Sequence, residues 1–254
     1  MVVMLTQTFE AGREKCAQYF PTDFEEPSMD LPVEPTDPFV NDEAHSKVNE
    51  DMLGKITLLE FELDVACRSE VRKLELTIGS QSKIVWHYLF AGWADYSKPE
   101  GEDREALLRL IKQTASRSSP DNPRVVHCSA GVGRTGTFIA LDHLLRELES
   151  GELLKATDCE TDPVFETVNQ LREQRMMMVY NEMQFYFIYE VLREQCVLKL
   201  GGTTEGGSQL RSPKVAKLSA ETDYTTKPEL EPVSDRVDTP TRSWSGTPEV
   251  SDNE

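Results

Sequence analysis

Ten consecutive residues, His127-Cys128-Ser129-Ala130-Gly131-Val132-Gly133-Arg134-Thr135-Gly136, decide the fold of this chain. Residues 124–127, which lead into this stretch, are typical of a short buried strand, and residues 135–150 have apolar side chains at helical spacing, ending at Gly151. A loop between a strand and a helix N-terminus faces unpaired N–H groups and the positive end of the helix dipole. Because Gly131 and Gly133 let the backbone curl inward, we expect this loop to bind a phosphate anion.

The side chains of this loop favour covalent chemistry on the bound phosphate. Arg134 can hold two phosphate oxygens at once through its planar guanidinium. A cation and a helix N-terminus favour the thiolate of a nearby cysteine, so Cys128 is predicted to be the nucleophile. Thr135 could donate its hydroxyl to the sulfur and make it a better leaving group. The predicted phosphate-binding residues are Ser129, Ala130, Gly131, Val132, Gly133 and Arg134.

Three other interpretations of the loop are weaker. Residues 131–136 match the GxGxxG pattern of dinucleotide-binding loops. That fold needs a second strand ending in an acidic residue about twenty residues later, where this sequence continues as a helix and then a polar segment. An ATP-binding loop would need a Gly-Lys-Ser/Thr, which the stretch does not contain. An inert buried cysteine would normally lie in apolar surroundings, whereas this loop is electropositive.

The composition limits the possible partners. The 254 residues carry a net charge of -18, which disfavours nucleic acid and anionic lipid as partners. The five cysteines are widely spaced, without a Cys/His cluster for zinc. We therefore expect no metal, no cofactor and reduced thiols, in the cytoplasm or the nucleus. Neither a signal peptide nor a membrane span is expected.

Periodicity predicts the remaining elements. Residues 10–19 read as a loop or a helical turn, and the proline-rich residues 21–43 as a long irregular excursion. We expect a catalytic domain over residues 1–199 and a disordered tail over residues 200–254, where large apolar residues are sparse. The predicted strands are residues 2–6, 56–65, 71–78, 84–89 and 124–127, and the predicted helices are residues 102–116, 135–150, 163–174 and 181–197.

The pattern His-Cys-x5-Arg-Thr resembles the signature of the protein-tyrosine phosphatases. Residues 3–6, 12–21, 71–76 and 87–99 are similar to the tyrosine-specific branch of that family, and to its fungal members most of all. The similarity extends over about residues 1–198. It implies an α/β fold, with a highly twisted mixed β-sheet flanked by helices on both sides. It also implies hydrolysis of phosphotyrosine in proteins without a metal.

The resemblance assigns further roles. The family's mobile loop usually reads Trp-Pro-Asp, and here it reads Trp93-Ala94-Asp95. Asp95 would therefore be the general acid, and Trp93 would support its loop. His127 would support the thiolate. His45, His87 and His143 have no assigned function.

Two departures from the family pattern matter. The glutamine that usually positions the hydrolytic water is Tyr180 here, while a second glutamine is retained as Gln184. The resemblance thus implies slower or differently arranged hydrolysis of the intermediate. The family also has a section upstream of Val2, including a loop whose tyrosine stacks on phosphotyrosine. We therefore expect an N-terminally incomplete domain, from a truncated product or an incomplete gene model.

These departures leave two alternatives to a protein-tyrosine phosphatase. One is a catalytically weak phosphotyrosine-binding pseudophosphatase, and the other is a dual-specificity phosphatase with a shallower pocket. The tail contains Ser212-Pro213, Thr239-Pro240 and Thr247-Pro248, which are candidate sites for a proline-directed kinase. A mitogen-activated-type kinase is therefore a second expected partner besides the phosphotyrosine protein substrate.

Overall fold

A computed structural model describes residues 1–31, 54–155 and 161–202. Its main sheet has six strands in the order β4-β5-β6-β7-β1-β8. The strands β4 to β7 pair antiparallel, and β1 is parallel to both β7 and β8. The strands are β1 (Val2–Met4), β2 (Phe9–Glu10), β3 (Arg13–Glu14), β4 (Ser28–Leu31), β5 (Gly54–Asp64), β6 (Ser69–Ile78), β7 (Gln81–Phe90) and β8 (Val125–His127).

The helices follow the predicted periodicity closely. They are α1 (Gly101–Ser116), α2 (Gly133–Ser150), α3 (Pro163–Gln174) and α4 (Glu182–Lys199), with a 3-10 turn at Leu153–Lys155. Asp162 caps α3 through its side chain, and Asn181 caps α4, as polar N-cap residues commonly do. The predicted mixed sheet with helices is therefore confirmed.

Strand β1 is an interior strand of the sheet, between β7 and β8, although it begins at the second residue. Val2 is in register with His87 of β7 on one side and with Val125 of β8 on the other. Val3, Met4 and Leu5 are fully buried. The apolar character of this segment is thus explained by two neighbouring strands and by cover on both faces.

The two faces of the sheet have different cover. One core contains Val3, Val71 and Tyr88 together with buried residues of all four α-helices. On the opposite face, no helix residue belongs to the second core within the residues described. That core consists of Met4, Phe20, Leu58, Leu74 and Leu89, with Cys16, Tyr19, Ile56 and Val85 packed against it.

Two expectations from the sequence were wrong in part. Residues 10–19 are not a helical turn, because β2 and β3 form a small antiparallel hairpin there. The stretch 21–43 begins irregularly but then forms β4, whose Ser28 lies opposite Thr57 at the edge of the sheet. The rest of that stretch, His45 and the predicted tail beyond residue 202 lie outside the described residues. No helix in the described part of the chain is long and apolar enough to cross a membrane.

Candidate active site

Cys128 lies between the end of β8 and the start of α2, as the sequence predicts. Its side chain is buried, with the residue only 6% exposed. The Thr135 Oγ1 hydroxyl donates to Cys128 Sγ over 3.2 Å. This contact places a donor beside the sulfur, where it would stabilise a thiolate.

The backbone of residues 129–134 curls into the N-terminal end of α2. Gly131 has a φ of +70°, which a residue with a side chain rarely adopts. The helix begins at Gly133 without a side-chain cap, so its first N–H groups are not used by a capping side chain. Arg175 adds a nearby cation, because its Nη2 donates to the Ala130 carbonyl over 3.2 Å. The loop therefore offers backbone donors and positive charge to an anion.

Arg134 is almost completely buried and is held most closely through its Nη1. Its Nη1 donates to Glu10 Oε1 over 2.6 Å and to the Trp93 carbonyl over 2.9 Å. Its Nη2 has longer contacts, 3.2 Å to Thr6 Oγ1 and 3.3 Å to Asp95 Oδ1. Its Nε has no hydrogen-bond partner among the described residues. The edge formed by the unpartnered Nε and the more loosely held Nη2 is therefore the edge that we expect to hold two phosphate oxygens.

The predicted acid, Asp95, lies at the same site. Its Oδ2 accepts from Lys15 Nζ over 2.7 Å, in addition to the Arg134 contact. Its loop is anchored by the buried Trp93, whose Nε1 donates to the Ser97 carbonyl over 2.8 Å. The Ser97 N–H closes a turn on the Ala94 carbonyl over 3.2 Å. The structure thus brings together Cys128, Arg134, Thr135, Trp93 and Asp95.

His127 belongs to a chain of hydrogen bonds that the sequence did not predict. Its Nδ1 contacts the Cys128 carbonyl over 3.2 Å and therefore carries a proton. Its Nε2 must then accept from the Tyr19 hydroxyl, 2.6 Å away. The Tyr19 oxygen in turn accepts from His87 Nε2 over 2.9 Å. Burial raises the pKa of Tyr19 and lowers the pKa of His127, which keeps both groups neutral near pH 7.

Tyr180 and Gln184 lie beside the phosphate-binding loop. Gln184 is buried, and its Oε1 accepts from the Tyr180 N–H over 3.2 Å. Tyr180 itself is about half exposed, and its ring contacts the ring of Tyr96. The residue that replaces the usual glutamine therefore packs against the loop that carries Asp95.

Sequence reasoning missed Glu10, Lys15 and Tyr19 as functional candidates. Glu10 is separated from Arg134 by 124 residues and Lys15 from Asp95 by 80. Both are ordinary charges in a chain rich in acidic residues, so local spacing carries no signal for them. Lys15 lies in residues 12–21, which resemble the family, whereas Glu10 lies just before them. In residues 1–31, 54–155 and 161–202, no cluster of three or more His, Cys, Asp or Glu side chains could hold a metal ion.

Comparison with known proteins supports the resemblance. A family model described as protein-tyrosine phosphatase matches residues 1–194. Tyrosine-protein phosphatase 2 of Schizosaccharomyces pombe is 35% identical over 196 residues, which cover 76% of this chain and 24% of that protein. Phosphatidylinositol phosphatase PTPRQ of Rattus norvegicus is 32% identical over 209 residues, covering 82% of this chain and 7% of that protein. This chain therefore spans a quarter or less of these two relatives.

Solved structures show the same fold. The Trypanosoma cruzi protein tyrosine phosphatase TcPTP1 aligns with a TM-score of 0.61 at 26% identity, over 81% of this chain and 61% of that one. The Trypanosoma brucei enzyme TbPTP1 aligns with a TM-score of 0.61 at 28% identity, over 80% of this chain and 61% of that one.

Proposed function

Because the chain belongs to the protein-tyrosine phosphatase family, we propose that it hydrolyses phosphotyrosine in proteins through a cysteinyl-phosphate intermediate, without a metal or cofactor. One observation carries the proposal: the Cys128 sulfur lies in a loop whose arginine, Arg134, contacts the carboxylate of Asp95. A nucleophile, a phosphate-holding fork and an acid thus meet at one site.

The first chemical step transfers the phosphoryl group to the enzyme. The Cys128 thiolate attacks phosphorus while the bond from phosphorus to the tyrosine oxygen breaks. Arg134 and the backbone N–H groups of residues 129–134 hold the phosphoryl oxygens, where charge must be stabilised. Asp95 gives its proton to the departing tyrosine oxygen, which leaves as a neutral phenol.

The second step releases phosphate and restores the cysteine. A water molecule attacks phosphorus and gives a proton to the Asp95 carboxylate, which now acts as a base. The phosphorus–sulfur bond breaks, and Thr135 Oγ1, 3.2 Å from the sulfur, stabilises the thiolate that leaves. Tyr180 stands where the family usually has its water-positioning glutamine, so we expect this step to be slow.

The alternatives have less support. A phosphotyrosine-binding pseudophosphatase would rest on the two departures from the family pattern, whereas Cys128, Arg134 and Asp95 are all present at one site. A dual-specificity enzyme would also hydrolyse phosphothreonine. Because one relative is named a phosphatidylinositol phosphatase, a phosphoinositide is a third substrate class to compare with phosphotyrosine. In our proposal the enzyme acts in cytoplasmic or nuclear signalling, with a mitogen-activated-type kinase as a further partner through the tail.

Phosphate release by the full chain from a phosphotyrosine peptide tests the main proposal. We expect release that is lost in Cys128→Ser and reduced about 100-fold or more in Asp95→Asn, the range of general acid catalysis. Cys196→Ser, which changes a half-buried cysteine of α4, should keep full activity. We expect the enzyme to release far less phosphate from a phosphothreonine peptide or from vesicles that contain a phosphoinositide. Release that survives Cys128→Ser, or a preference for either comparison substrate, would contradict the proposal.

A further inference from the structure

Two tyrosine rings meet where the loop that carries Asp95 (residues 93–97, called the acid loop below) approaches the segment before α4. The ring centroids of Tyr96 and Tyr180 are 5.6 Å apart, and the ring planes are inclined by 60°. Tyr96 directly follows Asp95, and Tyr180 lies just before the first turn of α4. Tilted aromatic pairs at this distance attract each other beyond their buried area.

Further contacts join the same two parts of the chain. Asn181 Nδ2 donates to the Tyr96 carbonyl over 2.9 Å. Lys98 Nζ reaches both carboxylate oxygens of Glu190 on α4, at 2.9 and 2.7 Å. The acid loop is therefore attached to α4 and its preceding segment by a ring contact, a hydrogen bond and an ion pair.

Tyr180 is the fixed partner of the ring pair. Its N–H donates to the buried Gln184, and the preceding Val179 donates its N–H to the Val132 carbonyl of the phosphate-binding loop over 3.1 Å. Val179 and Tyr96 have φ values of +59° and +60°. Such conformations are costly for residues with side chains and persist only where the surroundings hold them.

We propose that Tyr180 is a positioning residue, which holds Asp95 over the phosphate-binding loop through its ring contact with Tyr96. The inference rests on the proposed function, because it assigns the position of the general acid in that reaction. A glutamine at this place could not offer an aromatic face. The substitution therefore exchanges a group that orients water for one that orients the acid loop.

A comparison of two aryl phosphates isolates this role. Phenyl phosphate releases a phenol with a pKa near that of tyrosine, about 10, so its cleavage needs the acid. 2,4-Dinitrophenyl phosphate releases a far more acidic phenol and needs it little. We expect Tyr180→Ala to lower kcat/KM about two- to twelve-fold for phenyl phosphate, the factor that an aromatic pair supplies. The same variant should lower it less than two-fold for 2,4-dinitrophenyl phosphate.

Matched variants separate positioning from general damage. Tyr180→Phe keeps the ring and should restore wild-type kinetics. Tyr96→Leu removes the other ring and should reproduce the pattern of Tyr180→Ala. Tyr186→Ala removes an exposed ring of α4 that packs on Phe185 and should leave both substrates unaffected. An equal loss of kcat/KM on both substrates in Tyr180→Ala would mean that Tyr180 stacks on the substrate ring or supports the fold. No loss on either substrate would mean that the ring pair does not affect catalysis. Either result overturns the proposal.

Amide hydrogen exchange tests the contact independently of activity. The Ser97 N–H bonds to the Ala94 carbonyl inside the acid loop, so its exchange reports opening of that loop. Tyr180→Ala should speed this exchange two- to twelve-fold, while Tyr186→Ala should not. Unchanged exchange would refute the positioning role even in an inactive protein. A wild-type chain that releases no phosphate would refute the proposed function alone.

Discussion

Acid should destabilise this domain through His87, whose side chain on strand β7 is fully buried. The His87 ring lies 4.3 Å from the ring of Phe20, between centroids. Burial lowers its pKa from an ordinary 6.5 to about 3, with smaller contributions from the charges of Arg72 and His127. Only the neutral imidazole can accordingly be accommodated near pH 7, with Nε2 donating to the Tyr19 hydroxyl.

The sign and size of the effect follow from linkage. The unfolded chain binds a proton at His87 below about pH 6.5, whereas the folded chain does not bind one until about pH 3. The contribution of His87 to the free energy of unfolding is therefore fully present above pH 6.5 and is lost as the pH falls towards 3. The loss is about 1.4 kcal/mol per pH unit, so between pH 7.5 and 5 the free energy of unfolding should fall by about 2 kcal/mol. The lowered pKa of His127 acts in the same direction.

Urea unfolding at pH 7.5, 6 and 5 measures this dependence. His87→Gln keeps a donor for the Tyr19 hydroxyl but does not titrate, so the variant should lose about 2 kcal/mol less than the wild type over this range. His143→Gln removes a histidine that is half exposed on α2 and should behave as the wild type. If His87→Gln and the wild type lost the same free energy between pH 7.5 and 5, the assignment of acid sensitivity to His87 would be wrong.

Two further substitutions test the supports of the site. Glu10→Gln removes the charge 2.6 Å from the buried guanidinium of Arg134. We expect the free energy of unfolding in urea to fall by about 3 kcal/mol, the lower end of the range for breaking a buried pair, and kcat/KM to fall with it. Glu14→Gln, at an exposed position of β3, should change neither. Gly136→Ala would place a Cβ 2.5 Å from the Val179 nitrogen. We expect the free energy of unfolding in urea to fall by about 1–3 kcal/mol. An unchanged urea midpoint would show that the two backbone segments do not approach each other this closely.

Long periodic elements were predictable from the sequence, and short ones were not. The runs of β-branched and apolar residues in β5, β6 and β7 and the helical spacing of apolar residues in α1 to α4 each belong to an element of ten residues or more, so the sequence alone reveals them. Strands β2 and β3 have two residues each, too few to show a period. Strand β4 lies at a sheet edge, with Ser28 and Asp30 among its four residues. Its place is decided by pairing with β5 rather than by its own pattern.

The catalytic loop was predictable for a different reason. Cys128, Arg134 and Thr135 are close in sequence, and their spacing around a helix N-terminus already encodes the geometry. Asp95 could be assigned only by resemblance. The chain from His127 through Tyr19 to His87 joins residues 68 and 108 positions apart, and nothing local marks its members. Its role depends on burial and on which ring nitrogen carries the proton, which are properties of the folded state.

The way this acidic chain creates a positive site follows from the geometry of one arginine. A buried cation needs compensating partners, yet a phosphate-binding cation must keep donors for its ligand. The guanidinium of Arg134 meets both demands because its donors point in different directions. Nη1 is used by Glu10 and the Trp93 carbonyl, which ties the phosphate-binding loop to β2 and to the acid loop. Nε, which has no partner among the described residues, and Nη2, whose contacts to Thr6 and Asp95 are longer, form the other edge, which we expect to turn to phosphate oxygens. A lysine has a single ammonium group and could not serve the fold and the substrate through separate edges.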